Sequence, residues 1–300
     1  MGFRYLDRLA SPEQIHGFLE LMDLAAGGGD SAQNVFELSH RLRESSPMQL
    51  CRKRLARDPE AQRLIQARQL SGPYDTAALK ALPKGSLGHT YATVLGALGY
   101  DINFFPEPSF FGNLETDADY INYRVYATHD LHHILTGFSL DNFGELGVIS
   151  VSVAQFSHPG LAFTGLMALL LNWFRDDTPI DELESHAERA HTAAYAFGRI
   201  SEGLEMGANA KPLFALPWEQ LMERNLAELR QELQIEAVTS GPWSWSSNPE
   251  ISAALEGETS FERGAAVRKS GEISPRPRDC LLYTSPSPRD RTRSRMPSSA

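Results

Sequence analysis

The residues best suited to chemistry lie close together in the middle of the chain. His129 and His133 are four residues apart and Asp130 precedes His133 by three, so on a helix the three side chains share one turn. Glu145 follows His133 after eleven intervening residues. Two imidazoles with one or two carboxylates suit zinc, iron or manganese and are too rich in nitrogen for calcium. The pattern therefore predicts a divalent-metal site made by His129, Asp130, His133 and Glu145.

A hairpin of two helices would bring these residues together. Val125 precedes His129 by four residues, so the imidazoles continue an apolar line that faces the interior. Gly137 is suited to end the first helix and Asn142 to begin the second, which places Glu145 in a first turn that can reach back across the hairpin. The spacing of Asn142 and Glu145 is also that of a capping box, so a cap residue is the alternative for Glu145 taken alone.

The rest of the chain is rich in helical signals and predicts an all-α fold with a single helical domain. The segment from Ser11 to Gln14 is typical of a helix start with a capping box. Pro217 opens a helix whose apolar stripe consists of Met222, Leu226, Leu229 and Leu233. A narrow stripe from Leu183 to Phe197 is expected to pack against another helix. The segment VISVSV at 148–153 has the alternation of a strand.

Charge and hydropathy exclude several classes of protein. The chain has 28 Lys and Arg against 38 Asp and Glu, a net charge of −10, so a nucleic-acid partner is not expected. The amino-terminal residues lack the patterns of a signal or transit peptide. The longest apolar run, Leu161 to Phe174, is shorter than the roughly 20 residues of a membrane span. We therefore expect a cytoplasmic protein whose membrane contact is peripheral and mainly apolar.

The carboxyl-terminal residues differ in composition from the rest of the chain. Residues 280–300, CLLYTSPSPRDRTRSRMPSSA, resemble the translation of a sequencing-library adapter, and we interpret them as an artefact. Setting them aside removes four arginines and one aspartate, which makes the remainder more acidic, and leaves Cys51 as its single cysteine. One cysteine cannot form an internal disulfide, which fits a reducing compartment. Residues 236–279 are predicted to be an irregular extension.

The metal motif also resembles that of a known family. H-D-x-x-H followed after eleven residues by E is the motif of the coenzyme Q biosynthesis protein 4 family, and all of its positions are present here. The segments LPKGSLGHTYATVL and AKPLFALPWEQLMERNLAELRQELQI look like that family in order and spacing. The resemblance covers residues 78–235, interpreted as the helical core, with 1–77 as an amino-terminal helical region. It implies that VISVSV is helical and that the metal is zinc. The donor set itself leaves iron as the alternative.

The resemblance further implies a role in ubiquinone synthesis. The family is implicated in replacing the ring C1 carboxylate of a polyprenyl-hydroxybenzoate by a hydroxyl, so one expectation is a metal-dependent oxidative decarboxylase, of lyase or oxidoreductase type. The alternative is a noncatalytic lipid-binding scaffold that organises other ubiquinone-biosynthesis proteins around a structural metal. A metallohydrolase, suggested by the His-Asp pair, would need further ligands elsewhere.

Such a substrate would require cations near its acidic head and apolar side chains along its tail. The family commonly carries Gly-Arg-Arg-Ala where this chain has Gly207 to Ala210, and Arg124, Lys211 or Arg199 would have to replace those arginines. The candidate tail contacts are Phe163, Leu166 and Leu170, for which plain core packing is the alternative. The expected partners are a polyprenyl quinone precursor, other ubiquinone-biosynthesis proteins, the face of the inner membrane and a second copy in a homodimer.

Overall fold

The computed structural model describes residues 8–27, 31–104, 106–175 and 193–257, and within these ranges the protein consists of helices without a β-strand. In chain order the helices are α1 (Pro12–Ala26), α2 (Ala32–Arg41), α3 (Ser46–Leu55), α4 (Pro59–Ala67), α5 (Thr76–Ala81), α6 (Leu87–Ala97), α7 (Asp117–Ala127), α8 (His129–Thr136), α9 (Asn142–Phe156), α10 (Pro159–Arg175), α11 (Ala193–Asn209), α12 (Trp218–Leu221), α13 (Leu226–Glu232) and α14 (Pro249–Glu256). Two short 3₁₀ helices span Pro108–Leu114 and Trp245–Ser247. The predicted all-α fold is confirmed.

Many of the helices begin at side-chain caps. The Ser11 hydroxyl accepts from the amide of Gln14, and the Gln14 side chain accepts from the amide of Ser11, which confirms the predicted capping box of α1. Thr116 and Asp119 form a second capping box at α7. These contacts satisfy amides that have no partner within the helix. Several helix starts could therefore be predicted from local sequence.

Helix α9 occupies the centre of the fold. The residues at 144–152 are buried around the whole circumference of the helix. Helix α11 packs along it, and α10, α8 and α3 also contact it. A helix that is buried on all sides has no amphipathic period. For that reason the alternation in VISVSV wrongly indicates a strand, and the helical prediction from the family resemblance is correct.

Two apolar clusters form most of the core around α9. The larger joins α6, α8 and α13 with the segment around Trp245. The second joins α2, α3, α4 and α7 and includes Phe36, Met48 and Ile121. Helices α7 and α8, which carry the predicted metal motif and the residues before it, therefore belong to the interior of the protein.

The single helix predicted after Pro217 is two helices, α12 and α13. Asn225 interrupts the pattern because its side-chain oxygen accepts from the amides at the start of α13. The next amide, that of Leu226, donates to the carbonyl of Gly85 at 2.9 Å, which ties the break to the segment before α6. The predicted stripe itself is buried: Met222, Leu226, Leu229 and Leu233.

The stripe predicted to end at Phe197 packs differently from the expectation. Phe197 is 61% exposed, whereas its neighbour Ala196 is fully buried and packs with Leu146 and Ala168. The contact face of α11 is therefore turned by one residue from the predicted line. The earlier part of that stripe, from Leu183 to Ala190, lies outside the described residues.

The segment after residue 235, predicted to be irregular, is packed onto the core in its first part. Trp245 is 6% exposed, and Ile251 of α14 is buried in the larger cluster. Asn248 caps α14 by accepting from the amides of Glu250 and Ile251. The sequence indicates irregular structure here because the segment consists mostly of short turns. The residues that hold these turns in place lie far away along the chain, at 136–139. Residues 258–279 and the adapter-like residues 280–300 lie outside the described ranges.

In the part of the chain that the structure describes, no helix has the length and apolar character required to cross a bilayer. The apolar helix α10 is 17 residues long.

Candidate metal centre

Three of the four predicted ligands converge inside the hairpin of α8 and α9. His129 Nε2 lies 2.8 Å from one Glu145 oxygen, and His133 Nε2 lies 3.3 Å from the other. The two Nε2 atoms are 3.2 Å apart. One ligand atom from each residue lies within 4.8 Å of the other two, and the described ranges contain no other cluster of His, Cys, Asp and Glu with this property.

These separations fit a four-coordinate cation. Zinc binds imidazole nitrogen and carboxylate oxygen at about 2.0–2.2 Å in a tetrahedron, which puts neighbouring ligand atoms about 3.3 Å apart. The separations of 3.2 and 3.3 Å match this value, and the 2.8 Å separation is shorter. Three protein ligands leave one position for water or a substrate. Two histidines and a carboxylate suit zinc and also iron.

The centre is buried and contains the negatively charged carboxylate of Glu145. The side chains of His129, His133 and Glu145 are at most 2% exposed. Burial would raise the pKa of Glu145, but the imidazoles of His129 and His133 outweigh it and hold that pKa well below its ordinary value. Burial would lower the pKa of His133, but the Glu145 carboxylate outweighs it and the pKa is raised. The carboxylate therefore stays ionised and attracts a positive charge to this position.

The turn between α8 and α9 leaves Glu145 available to the imidazoles. Gly137 ends α8 with a φ of 84°, as predicted. Asp141, and not Asn142, caps α9 by accepting from the two amides that follow Asn142. Because Asp141 has the capping role, the Glu145 side chain does not act as a cap and contacts the imidazoles instead.

The turn between α8 and α9 packs closely against the start of α9 at Gly144. A Cβ atom at Gly144 would lie 1.7 Å from the carbonyl oxygen of Ser139, so a larger residue does not fit without a shift of the backbone. The glycine therefore lets the first turn of α9 lie close to Ser139 of the connecting turn. That approach brings the carboxylate of Glu145 within reach of both histidines.

A backbone carbonyl holds the second ring nitrogen of His133. The Nδ1 atom lies 3.2 Å from the carbonyl oxygen of Phe138. A carbonyl can only accept, so Nδ1 carries the proton and Nε2 can present its lone pair to the centre. Carbonyl and carboxylate partners of this kind commonly fix the orientation of metal-binding imidazoles.

The helix that leads to the histidines is interrupted, in contrast to the continuous helix predicted. Helix α7 ends at Ala127 and α8 begins at His129, with Thr128 at φ −108° and ψ 2° between them. The Thr128 hydroxyl donates to the carbonyl of Arg124 at 2.9 Å, a local bond of the kind that bends helices. Val125 and His129 are nevertheless both buried, so the inward-facing line is kept.

Asp130, the fourth predicted ligand, is not part of the convergent group. Its position is partly buried, and the cluster of atoms within 4.8 Å of one another contains only His129, His133 and Glu145. The negative charge of Asp130 adds to the larger effect of Glu145 in raising the pKa of His133. In this arrangement Asp130 influences the centre through its charge.

Arg124, a predicted substrate cation, is bound inside the protein. Its guanidinium donates to the carbonyls of Phe214 and Leu216 at 2.7 and 2.8 Å and lies 3.2 Å from the Ser71 hydroxyl. The residue is 2% exposed. These contacts tie α7 to the loop before α12, which is how a structural cation behaves. The sequence could not show this, because two of the partners lie 90 and 92 residues away.

The other predicted substrate residues lie at or near the surface. Lys211 is exposed after the end of α11, and Leu166 and Leu170 of α10 are 51% and 36% exposed. Phe163 is half-buried, with its ring 5.8 Å from that of Phe18. The structure does not bring any of them into the group formed by His129, His133 and Glu145.

Two side chains that support the metal-motif helix were not predicted. Trp245 Nε1 donates to the carbonyl of His133 at 2.9 Å, and Arg230 donates to the carbonyls of Ile134 and Leu135 at 2.8 Å. Trp245 lies in the segment 236–279 that the sequence predicts to be irregular. No spacing rule signals a contact between residues 112 positions apart.

Comparison with known proteins gives a consistent match. The family model described as "Coenzyme Q (ubiquinone) biosynthesis protein Coq4" matches residues 29–239. The mitochondrial ubiquinone biosynthesis protein COQ4 of Clavispora lusitaniae is 30% identical over 205 residues, which are 68% of this chain and 59% of that protein. The COQ4 protein of Scheffersomyces stipitis is 29% identical over 60% of this chain and 51% of its own length. The chain thus spans between half and three fifths of these two relatives.

A solved structure supports the fold. The crystal structure of a Nostoc punctiforme protein superposes with a TM-score of 0.60 at 24% identity, covering 74% of this chain and 97% of the other. At this identity the likeness concerns the arrangement of helices alone.

Proposed function

This chain belongs to the coenzyme Q (ubiquinone) biosynthesis protein Coq4 family, and from that premise we propose that it binds a divalent metal and uses it on a polyprenyl-hydroxybenzoate intermediate. In the proposed oxidative decarboxylation the bond between ring C1 and its carboxylate breaks with release of CO₂, a bond from C1 to a hydroxyl forms, and an external oxidant of the dioxygen class takes up the two electrons. The observation that supports metal dependence is the convergence of His129, His133 and Glu145 in a sealed site.

In this proposal the protein supplies position, charge and exclusion of water. His129 and His133 present Nε2 atoms from successive turns of α8, and Glu145 provides the negative charge that balances a cation. When bound, a divalent cation would supply Lewis acidity toward the ring carboxylate. Iron would also be able to activate dioxygen as the oxidant, whereas zinc has no redox chemistry and would leave that step to another reactant. The apolar surroundings strengthen each of these electrostatic contacts because the local dielectric is low.

The lipid part of the substrate is proposed to meet the outer face of α10. Leu166 and Leu170 are four residues apart and exposed, so they form a small apolar surface on one side of the helix. Phe163 lies one turn earlier and is half-buried. Lys211 is the exposed cation proposed for the acidic head, because the guanidinium of Arg124 is engaged internally. Peripheral contact with a membrane, a homodimer and association with other ubiquinone-biosynthesis proteins belong to the same proposal.

A noncatalytic scaffold is the second candidate, and one observation favours it. The three ligand side chains are almost completely shielded from solvent, as in structural metal sites that have no exchangeable position. In that case the metal would stabilise the α8–α9 hairpin, and the apolar face of α10 would hold lipid for other enzymes.

Complementation distinguishes these two candidates. The full chain, as wild type and as Glu145→Ala, is expressed in cells that lack the C1-modifying step, with ubiquinone measured by mass spectrometry. A catalytic centre predicts loss of ubiquinone in the variant while its thermal unfolding shows a folded protein. Full ubiquinone synthesis by a Glu145→Ala protein that still binds metal would refute the catalytic proposal and favour the scaffold. Lys211→Ala, at an exposed position away from the ligands, tests the proposed head-group contact separately.

A further inference from the structure

Residues of the downstream segment 230–245 donate hydrogen bonds to each of the last four carbonyl groups of α8. A helix normally leaves its last four carbonyls without partners inside the helix. Here Trp245 Nε1 donates to the carbonyl of His133 (2.9 Å), and the amide of Val238 donates to that of Thr136 (2.8 Å). Arg230 donates through Nη2 to the carbonyl of Ile134 and through Nε to that of Leu135, both at 2.8 Å. The amide of Gly137 also donates to the carbonyl of His133 at 2.9 Å, so this carbonyl has one local and one distant donor, whereas the carbonyls of Ile134, Leu135 and Thr136 are bound by residues of the downstream segment.

The same segment also sets the carbonyl that orients the imidazole of His133. Phe138, whose carbonyl oxygen lies 3.2 Å from His133 Nδ1, forms an isolated antiparallel bridge with Ser244. The hydrogen bonds around this bridge run from the amide of Ser139 to the carbonyl of Trp243 (2.7 Å) and from the amide of Trp245 to the carbonyl of Gly137 (3.1 Å). Residues 243–245 therefore act on His133 in two ways. Trp245 binds its main-chain carbonyl, and the bridge at Ser244 positions the Phe138 carbonyl that binds its ring.

We propose that Trp245 is a positioning residue of the metal centre, supported by Arg230, and that it aims His133 Nε2 at the position shared with His129 and Glu145. This inference rests on the proposed metal binding. The guanidinium of Arg230 lies 5.7 Å from the centre of the Trp245 ring, so the two side chains also stabilise each other. A metal ligand must be held to within a fraction of an ångström, and its supporting contacts determine that precision.

The Trp245→Phe variant tests this proposal, because it keeps an aromatic ring in the core and removes the Nε1–H donor to His133. The probe is Co²⁺, added to the full-length protein after removal of bound metal with a chelator. We expect the Co²⁺ dissociation constant to rise about tenfold or more. We also expect a change in the visible d–d absorption, which reports ligand geometry and does not respond to a general loss of stability.

Trp218→Phe is the matched control. Trp218 lies in the same apolar cluster, it is fully buried, and among the described residues its Nε1 atom has no hydrogen-bond partner. The control therefore makes the same change of ring size without removing a hydrogen bond. Unchanged Co²⁺ affinity and spectrum in Trp218→Phe, together with altered values in Trp245→Phe, support the proposal. Equal affinity and spectra in both variants and the wild type would overturn it.

Arg230→Lys is the second variant, for the case in which Trp245→Phe does not fold. A lysine keeps the positive charge but cannot donate to two carbonyls from one planar group, so we expect a smaller loss of Co²⁺ affinity in the same direction. Unaltered Co²⁺ binding by Arg230→Lys would count against the proposal. Failure of the wild-type protein to bind Co²⁺ would instead refute the metal centre itself, and with it this inference.

Discussion

The carboxylate of Glu145 and the imidazole of His129, 16 residues apart along the chain, meet at 2.8 Å in a site that is closed to solvent. Two buried polar side chains of this kind are stable only when they are paired or share a cation. His133 completes the group, with its Nε2 atom 3.2 Å from that of His129. The arrangement leads to predictions about the metal and about the surrounding framework.

Removal of one imidazole should abolish metal binding. We expect His133→Ala to lower the metal content from about one ion per chain to a small fraction, because two remaining ligands hold a divalent cation weakly. Metal analysis of anaerobically purified protein measures this. His16→Ala is the control, since the His16 side chain is 76% exposed and lies beside Glu20 on the same helix. A His133→Ala protein with full metal content would contradict the assignment of the site.

The second prediction concerns the stability of the protein in acid. His158 is buried, with Nε2 2.8 Å from Asn122 Oδ1, and Nδ1 accepts from the amide of Leu161 at 3.2 Å. Burial lowers its pKa from 6.5 to about 3. Below pH 6.5 the imidazole of His158 therefore binds a proton in the unfolded chain but stays neutral in the folded protein. The contribution of His158 is complete above pH 6.5 and is lost as the pH falls toward 3, by up to about 1.4 kcal/mol per pH unit.

Urea unfolding between pH 7 and pH 4 measures this slope. His158→Gln retains a donor and an acceptor but has no group that titrates in this range, so its free energy of unfolding should fall less steeply with acidification. His132, whose pKa burial also lowers to about 3, remains in both proteins and accounts for a residual slope. Identical slopes in wild type and variant would show that His158 does not stay neutral in the folded protein.

The third prediction separates a structural from a substrate-binding role for Arg124. Arg124→Met should lower the free energy of unfolding by about 3 kcal/mol, because buried carbonyls of Phe214 and Leu216 lose their donors. Chemical denaturation provides the measurement. Arg63→Met, at an arginine whose side chain is 56% exposed and paired with Glu60, should change stability by less than about 0.5 kcal/mol. Unaltered stability of Arg124→Met with impaired ubiquinone synthesis would favour the substrate role.

The fourth prediction concerns Cys51, which is fully buried on α3. Burial raises the pKa of its thiol to about 12, so almost no thiolate is present near neutral pH. In a Cys280→Ser background, Cys51 should react with Ellman's reagent at least about 100-fold more slowly in the native protein than in urea. Rapid reaction in the native state would mean that α3 opens readily.

Short-range features of the structure could be predicted from the sequence. The capping box at Ser11, the end of α8 at Gly137 and the pairing of His129 with His133 each depend on residues within one or two helical turns. The alternation in VISVSV suggested a strand, because a helix buried on every side has no amphipathic period to reveal it. The family resemblance predicted the helix correctly.

Long-range packing decided the rest. Local sequence could not show that Asp130 would stay outside the group of His129, His133 and Glu145. Nor could it show that Arg124 would bind internal carbonyls, or that the segment around Trp245 would pack on the end of α8. Spacing along a chain specifies which side chains share a helix face, and therefore which could act together. Which of them meet, and what holds them in place, is determined by contacts between distant segments, which form only when the helices pack.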